Sequence, residues 1–291
     1  MDTVVTIEVV TSVDDAAHLA QVTAALHRAE TWVRDVEARC SRFDESSELR
    51  MLTARSNVPV PASPMLFEAV AFALAVAADT NGVFDPTVGD DMVRAGFDRE
   101  HRSGVRVTPR SATDGVSYRD VALDASARTV MTSRPLTLDL GAVAKGLAVD
   151  LAAQELGAYP DLAIDAGGDV YVRGKSARGE RWAVGIRNPR GDGVLDTVCV
   201  DRGAVCTSGD YERTARDGEG HVLDARTRRP VQGIASATVI APTAMAADAL
   251  ATAAFALGPR DGIAFIERNR AAGMIVTDTL ERYVTTSWAR D

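Results

Sequence analysis

Apolar and polar residues alternate over residues 4–10, the period-two signature of a strand with one buried face. From residue 16 to 40 the rhythm becomes helical, with Leu19, Val22, Leu26, Trp32, Val33 and Val36 recurring one face at a time. A second helix is predicted over 64–80, with Pro64 in a favourable first-turn position and Asn81-Gly82 as its stop. Residues 99–135 are polar and turn-rich, with short strand-like pieces at 105–107, 121–123 and 129–131. Residues 136–140 read as a strand that runs into Gly141 and a helix to about 156. A tight hairpin is predicted from 162–164 and 170–172 around Gly167-Gly168. Further strands are predicted at 182–186, 194–200, 221–223 and 235–240, helices at 244–257 and 260–268, and a closing hairpin from 274–276 and 282–286. Many strands interleaved with four or five helices, without a repeating βαβ unit, give an α+β class. With no repeat or long linker, residues 1–291 form one compact domain, undivided or with two lobes.

Composition narrows the function. The chain has 32 Lys and Arg against 41 Asp and Glu, a net charge of −9, so phosphate backbones are repelled and general nucleic-acid binding is disfavoured. An anionic ligand therefore needs local help from backbone N–H groups, a few basic side chains or a metal ion. Cys40, Cys199 and Cys206 are too scattered for a disulfide framework and lack zinc-site spacing, so all three are expected to be reduced, buried or nearly buried thiols. The opening ten residues have no basic, long-apolar export pattern, and no 18-residue apolar run occurs. A soluble, cytoplasmic protein is the expectation.

Four segments can carry chemistry. In residues 138–150 a predicted strand ends at Asp139 and a helix begins at Gly141, so Lys145 and free backbone N–H groups meet where a phosphate would be favoured. The bland alternative is a strand-to-helix turn with a solvated lysine; neither a Walker loop nor GxGxxG is present. In the alanine-rich helix 243–258, Asp248 and Thr252 stand four apart on one side and, with a loop carbonyl, suit magnesium or calcium. The alternative there is an exposed polar pair. Around Ser208 a Thr-Ser-Gly turn leaves backbone groups open to a ligand, and His221, Asp224 and Arg226 follow. His221 reads as a general base, a ligand-orienting group, or simply a satisfied polar residue. Asp85 opens a loop that ends in Ala95-Gly96-Phe97, where Phe97 either lies against a flat ring or serves as a hydrophobic anchor.

Taken in order, SRFDESSEL, FDPTVG, DLGAVAKG, AIDAGGDVYVRG, TSGDYER, HVLDARTRRPV and ADALATA resemble the ApbE family of FAD:protein FMN transferases. The resemblance implies a T-fold-related α+β domain whose sheet is mixed and largely antiparallel. It implies FAD as substrate, a divalent metal (magnesium, with manganese or calcium as alternatives), and an FMN-binding-domain acceptor carrying a target Thr or Ser. It places the metal on Ala142, Asp248 and Thr252, with Ala251 adding its carbonyl. FAD contacts fall on Met1, Phe43, Ala95, Gly96, Phe97, Asp139, Lys145 and Val222. The chemistry also needs a base for the incoming hydroxyl, for which His221 is the candidate and a neighbouring carboxylate the alternative. Departures from the family pattern are Asp2 for glycine, Thr53 for a common asparagine and Phe43 for a tyrosine found in some members. A magnesium-dependent FAD pyrophosphatase and a non-catalytic FAD-binding protein are the competing readings.

Overall fold

In the computed structural model, which describes residues 3–13, 15–99, 104–109, 115–211 and 220–288, seven strands share one sheet in the order β1-β5-β6-β9-β12-β13-β14. These are β1 (Val5–Val9), β5 (Leu162–Ala166), β6 (Asp169–Arg173), β9 (Arg202–Gly209), β12 (Ile234–Ala241), β13 (Ala272–Thr277) and β14 (Arg282–Val284). Every neighbouring pair is antiparallel. Three small sheets surround it: β2 (Val60–Pro61) with β4 (Thr129–Thr132) and β3 (Val121–Asp124); β7 (Trp182–Arg187) with β8 (Val194–Val200); and β10 (Leu223–Asp224) with β11 (Arg229–Pro230).

Strand alternation assigns the two faces of the main sheet. Tyr171, Ala204, Cys206, Ala237, Val239 and Ile275 belong to the large core beneath the helices. Their neighbours Val172, Val205, Met274 and Val276 pack on the opposite face with Ile186, Val198 and Trp288, under the β7–β8 hairpin. On the helical side, α5 (Gly141–Glu155) lies between α1 (Ala16–Cys40) and α6 (Ala244–Leu257). Ala25 and Ala29 join Val22, Val33, Val36 and Cys40 in the buried stripe of α1, while Leu19 and Trp32 stay outside at 42% and 36% exposure. Small residues let helices pack closely, which is why alanine rather than every large apolar side chain marks the inner face.

Several expectations need correction. Residues 136–140 join no sheet; Leu136, Leu138 and Leu140 are buried in an extended segment whose backbone pairs instead with the Asp85 loop, through Asp139 N to Pro86 O at 2.7 Å and Gly89 N to Thr137 O at 3.1 Å. Thr207, Ser208 and Gly209 are not a turn but the end of β9. His221 precedes β10, which is only two residues long, and 105–107 contributes only an isolated bridge between Arg99 and Arg106. Short helices α2 (Glu48–Leu52) and α4 (Gly89–Arg94) had no legible periodicity; α3 (Pro64–Asp79) and α7 (Pro259–Arg268) follow the expected spans. Among the described residues no helix is long and apolar enough to cross a membrane.

Candidate active site

The first half of α5 and the start of α6 touch through a glycine. A Cβ at Gly146 would sit 2.4 Å from the Ala244 carbonyl oxygen, so only hydrogen permits this approach. Asp150, one turn further along α5, accepts from the Ala244 and Met245 N–H groups at 2.7 and 2.9 Å and so caps α6 from a neighbouring helix. Burial pushes the Asp150 carboxyl above its ordinary pKa, and the nearby Glu68 charge adds to this, against the lowering effect of the two N–H bonds.

That packing closes a ring of polar contacts over four elements. Asp248, 5% exposed on α6, accepts at Oδ2 from Gly146 N–H at 3.3 Å. Thr252, one turn on, shares a 2.9 Å hydroxyl bond with Ser208 of β9. The N–H of Thr207, beside Ser208, donates to Asp169 Oδ1 at 3.2 Å, and Asp169 Oδ2 lies 2.5 Å from Lys145 Nζ, next to Gly146. The carbonyl of Ala142 heads the same turn of α5, since an α-helix directs it at residue 146. Ala251 is fully buried in α6 beside Thr252. The Asp248 carboxylate and the Thr252 hydroxyl thus stand one turn apart on α6, the first against α5 and the second against β9. Among the described residues no three His, Cys, Asp or Glu side chains group as a metal cluster, so an ion here would need oxygens from water or ligand as well.

A second wall adjoins this ring. The loop after α4 turns at Ala95 and Gly96, whose φ of 93° and open Cβ direction suit glycine, and Phe97 N–H returns to Met92 O at 2.9 Å. Arg42, 7% exposed, pairs at Nε with Asp139 Oδ2 at 2.7 Å, donates to Phe97 O at 2.8 Å and covers the Phe43 ring at 4.0 Å. Its Nη1 is buried without a hydrogen-bond partner, a donor left over for a ligand. Asp139 also accepts from Gly141 N–H at 2.7 Å, which joins this wall to the first turn of α5. The Phe97 ring meets His221 edge-on, centroids 6.3 Å apart, and Val222 is buried beside it in sequence.

Phe43, Phe97 and Asp139 therefore contact Arg42, with Ala95 and Gly96 leading into Phe97 and His221 against its ring. Asp248 meets Gly146, beside Lys145, at the α5–α6 contact, while Ala142 lies in the first turn of α5, and Ala251 and Thr252 follow Asp248 along α6. Met1 lies outside the described residues. Asp224 and Arg226 pair with each other inside the β10–β11 turn. Asp85 caps the short helical turn at 86–88 and accepts from Tyr118 N–H at 2.8 Å, its pKa raised by burial. Arg42, Asp169 and the pairing of Ser208 with Thr252 were missed: Arg42 reads as an ordinary surface arginine, and the other two depend on sheet order.

A sequence profile of the ApbE family matches residues 1–276. Similar proteins include the FAD:protein FMN transferase of Haemophilus influenzae, 28% identical over 94% of this chain and 84% of that protein. The FAD:protein FMN transferase of Treponema pallidum is 34% identical over 82% of this chain and 73% of its own length. Among solved structures, an ApbE protein from Thermotoga maritima superposes with a TM-score of 0.82 at 31% identity, covering 97% of this chain and 94% of that one. The flavin transferase ApbE of Vibrio cholerae has the same fold, with a TM-score of 0.84 at 24% identity over 99% of this chain and 95% of that one.

Proposed function

The chain belongs to the ApbE family, and from that premise we propose that it splits the pyrophosphate of FAD and passes the FMN half to a Thr or Ser hydroxyl of an acceptor flavoprotein, releasing AMP. The observation that carries this reading is the ring from Lys145 through Asp169, Ser208, Thr252 and Asp248 back to Gly146. It is an oxygen-rich, partly buried cradle at a helix start, fitted to a cation and a diphosphate rather than to a neutral ligand.

The donor set fits magnesium: a buried carboxylate and a hydroxyl four residues apart on α6, the carboxylate bonded to Gly146 N–H of α5. Asp248, Thr252 and Ala142 would hold the ion, with the Ala251 carbonyl as a further oxygen. Bound there, it would neutralise phosphate oxygens and stabilise the departing AMP. Lys145 adds a cation held in place by Asp169. Phe97 and Phe43 offer apolar faces for the flavin side, and Arg42 supplies the uncommitted Nη1 donor. His221, seated against Phe97, takes the proton of the attacking hydroxyl as the new O–P bond forms and the bond to the AMP phosphate breaks.

Incubating the protein with FAD, magnesium and an FMN-binding-domain acceptor, then weighing the acceptor, tests this. A gain of one FMN on Thr or Ser supports transfer. Free FMN and AMP with an unmodified acceptor would instead mark a pyrophosphatase. His221→Ala should slow transfer by roughly 10²–10⁴-fold, the usual contribution of a general base, with FAD affinity nearly retained; unimpaired transfer removes that role.

A further inference from the structure

The two walls that bring His221 to Phe97 belong to segments far apart in sequence, and the β10–β11 hairpin turn is what joins them. Asp224 pins this four-residue turn: its side chain accepts from Arg226 N–H at 2.9 Å, and its carbonyl from Arg228 N–H at 2.7 Å. The turn ends with Arg228 at φ 57°, a left-handed conformation that glycine adopts freely and arginine does not. Arg128 and Arg270 adopt the same conformation, so a functional reason for Arg228 must come from its side chain.

The side chain supplies one. Arg228 Nη1 bonds Asp91 Oδ2, and Nη2 donates to Val116 O at 2.7 Å. Asp91, its side chain 9% exposed, lies on α4, the helix that leads directly to Ala95, Gly96 and Phe97, and its other oxygen takes Arg94 at 2.6 Å. A second tie, Ala225 N–H to Val83 O at 3.0 Å, fastens the same turn just upstream of α4. The hairpin bearing His221 and Val222 is thereby latched to the platform bearing Phe97.

We propose that Arg228 is a positioning residue: its ion pair with Asp91 holds the His221 hairpin against the Phe97 wall and so keeps the FAD site assembled before substrate arrives. This rests on the transferase reading above. Arg228 touches neither ring; it acts through the turn and through α4. Without the latch, FAD binding must itself bring the walls together, so affinity suffers more than the chemical step.

The experiment compares Arg228→Gly, Arg228→Lys and Asp91→Asn with the parent protein in FMN transfer to an acceptor, alongside FAD affinity by flavin fluorescence and Tm. Arg228→Gly removes the left-handed strain together with the latch. A residue serving only stability would lower Tm and leave KM alone. The latch predicts a KM for FAD raised roughly tenfold, the scale of losing a partly buried charged pair, and kcat reduced less than KM is raised, while relief of the left-handed strain offsets part of the Tm lost with the pair. Arg228→Lys, which keeps the charge but not the fork, should recover part of the affinity. Asp91→Asn should match Arg228→Gly in KM, and the double variant should be no worse than either single. Unchanged KM in Arg228→Gly, or additive effects in the double variant, overturns the latch. Absence of FMN transfer by the parent protein instead overturns the transferase reading, and fluorescence-measured FAD affinity then still decides the latch.

Discussion

Gly146→Ala is the sharpest test of the α5–α6 contact. The added methyl would lie 2.4 Å from the Ala244 oxygen and 2.5 Å from the Met245 Cα, about 1 Å inside ordinary contact, and both are backbone atoms that no rotamer change can move. The helices must therefore separate by about that distance. Overpacking of this kind costs roughly 1–3 kcal/mol, while alanine in a helix interior returns about 1 kcal/mol relative to glycine. The net loss is about 0–2 kcal/mol, a fall in Tm of at most several degrees for a chain this size. Function should suffer far more. Asp248 Oδ2 rests on Gly146 N–H, and in the proposed site it would also hold magnesium, which tolerates little departure from oxygen distances of about 2.0–2.1 Å. A 1 Å misplacement of a positioned group costs on the order of 10²-fold in rate. The assay is FMN transfer against magnesium concentration, with Tm alongside. Gly262→Ala is the control, because its Cβ would sit 2.5 Å from the Ala254 oxygen where α7 crosses α6, a comparable overlap at residues that make no contact in the ring. A Gly146→Ala protein with near-normal rate and magnesium dependence would refute the reasoning, as would equal activity losses in both variants.

Asp150→Asn should cost about 1 kcal/mol at neutral pH, because an amide can accept only one of the two N–H bonds at the start of α6. The raised carboxyl pKa of the folded state means that this group's stabilisation is complete below the ordinary aspartate value and is lost as pH rises through the elevated one. The stability gap between parent and variant, followed by denaturant titration, should therefore narrow with rising pH; a gap that widens contradicts the burial-dominated balance. Among the three free thiols, Cys40 and Cys206 are buried, with burial pushing the first up to about 12 and the second well above its usual value. Alkylation of the native protein, read by peptide mass, should mark Cys199 first, and equal labelling of all three would contradict this packing.

Much of the fold was legible because α1 carries a helical apolar repeat and because glycines bound α5, α6 and the β5–β6 hairpin. The spans of α1, α5 and α6 and the β5–β6 hairpin follow from periodicity and glycine stops alone. Residues 136–140 misled because an alternating leucine pattern reports one buried face and not the identity of the pairing partner. Leu136, Leu138 and Leu140 are as buried as strand residues, yet the segment's hydrogen bonds go to the Asp85 loop. The same limit explains β9: its small residues resemble a turn, but they lie between β6 and β12, where close neighbours on both sides favour small side chains.

The site divides along the same line. Asp248 and Thr252 could be paired from sequence because a single helix fixes their relation; four residues make one turn whatever the rest of the chain does. Lys145 could be suspected from the helix start it occupies. Nothing local, however, places Asp169 under Lys145 or Ser208 against Thr252, since each pair spans elements whose adjacency is decided by sheet order and by the α5–α6 approach. Arg42 is the extreme case. A single arginine joins Asp139, Phe97 and Phe43 only after the end of α1, the segment before α5 and the loop after α4 have converged. The residues most informative about chemistry in the folded protein are therefore those whose meaning depends on contact, and the glycine that permits the central contact carries as much of the site as any charged group in it.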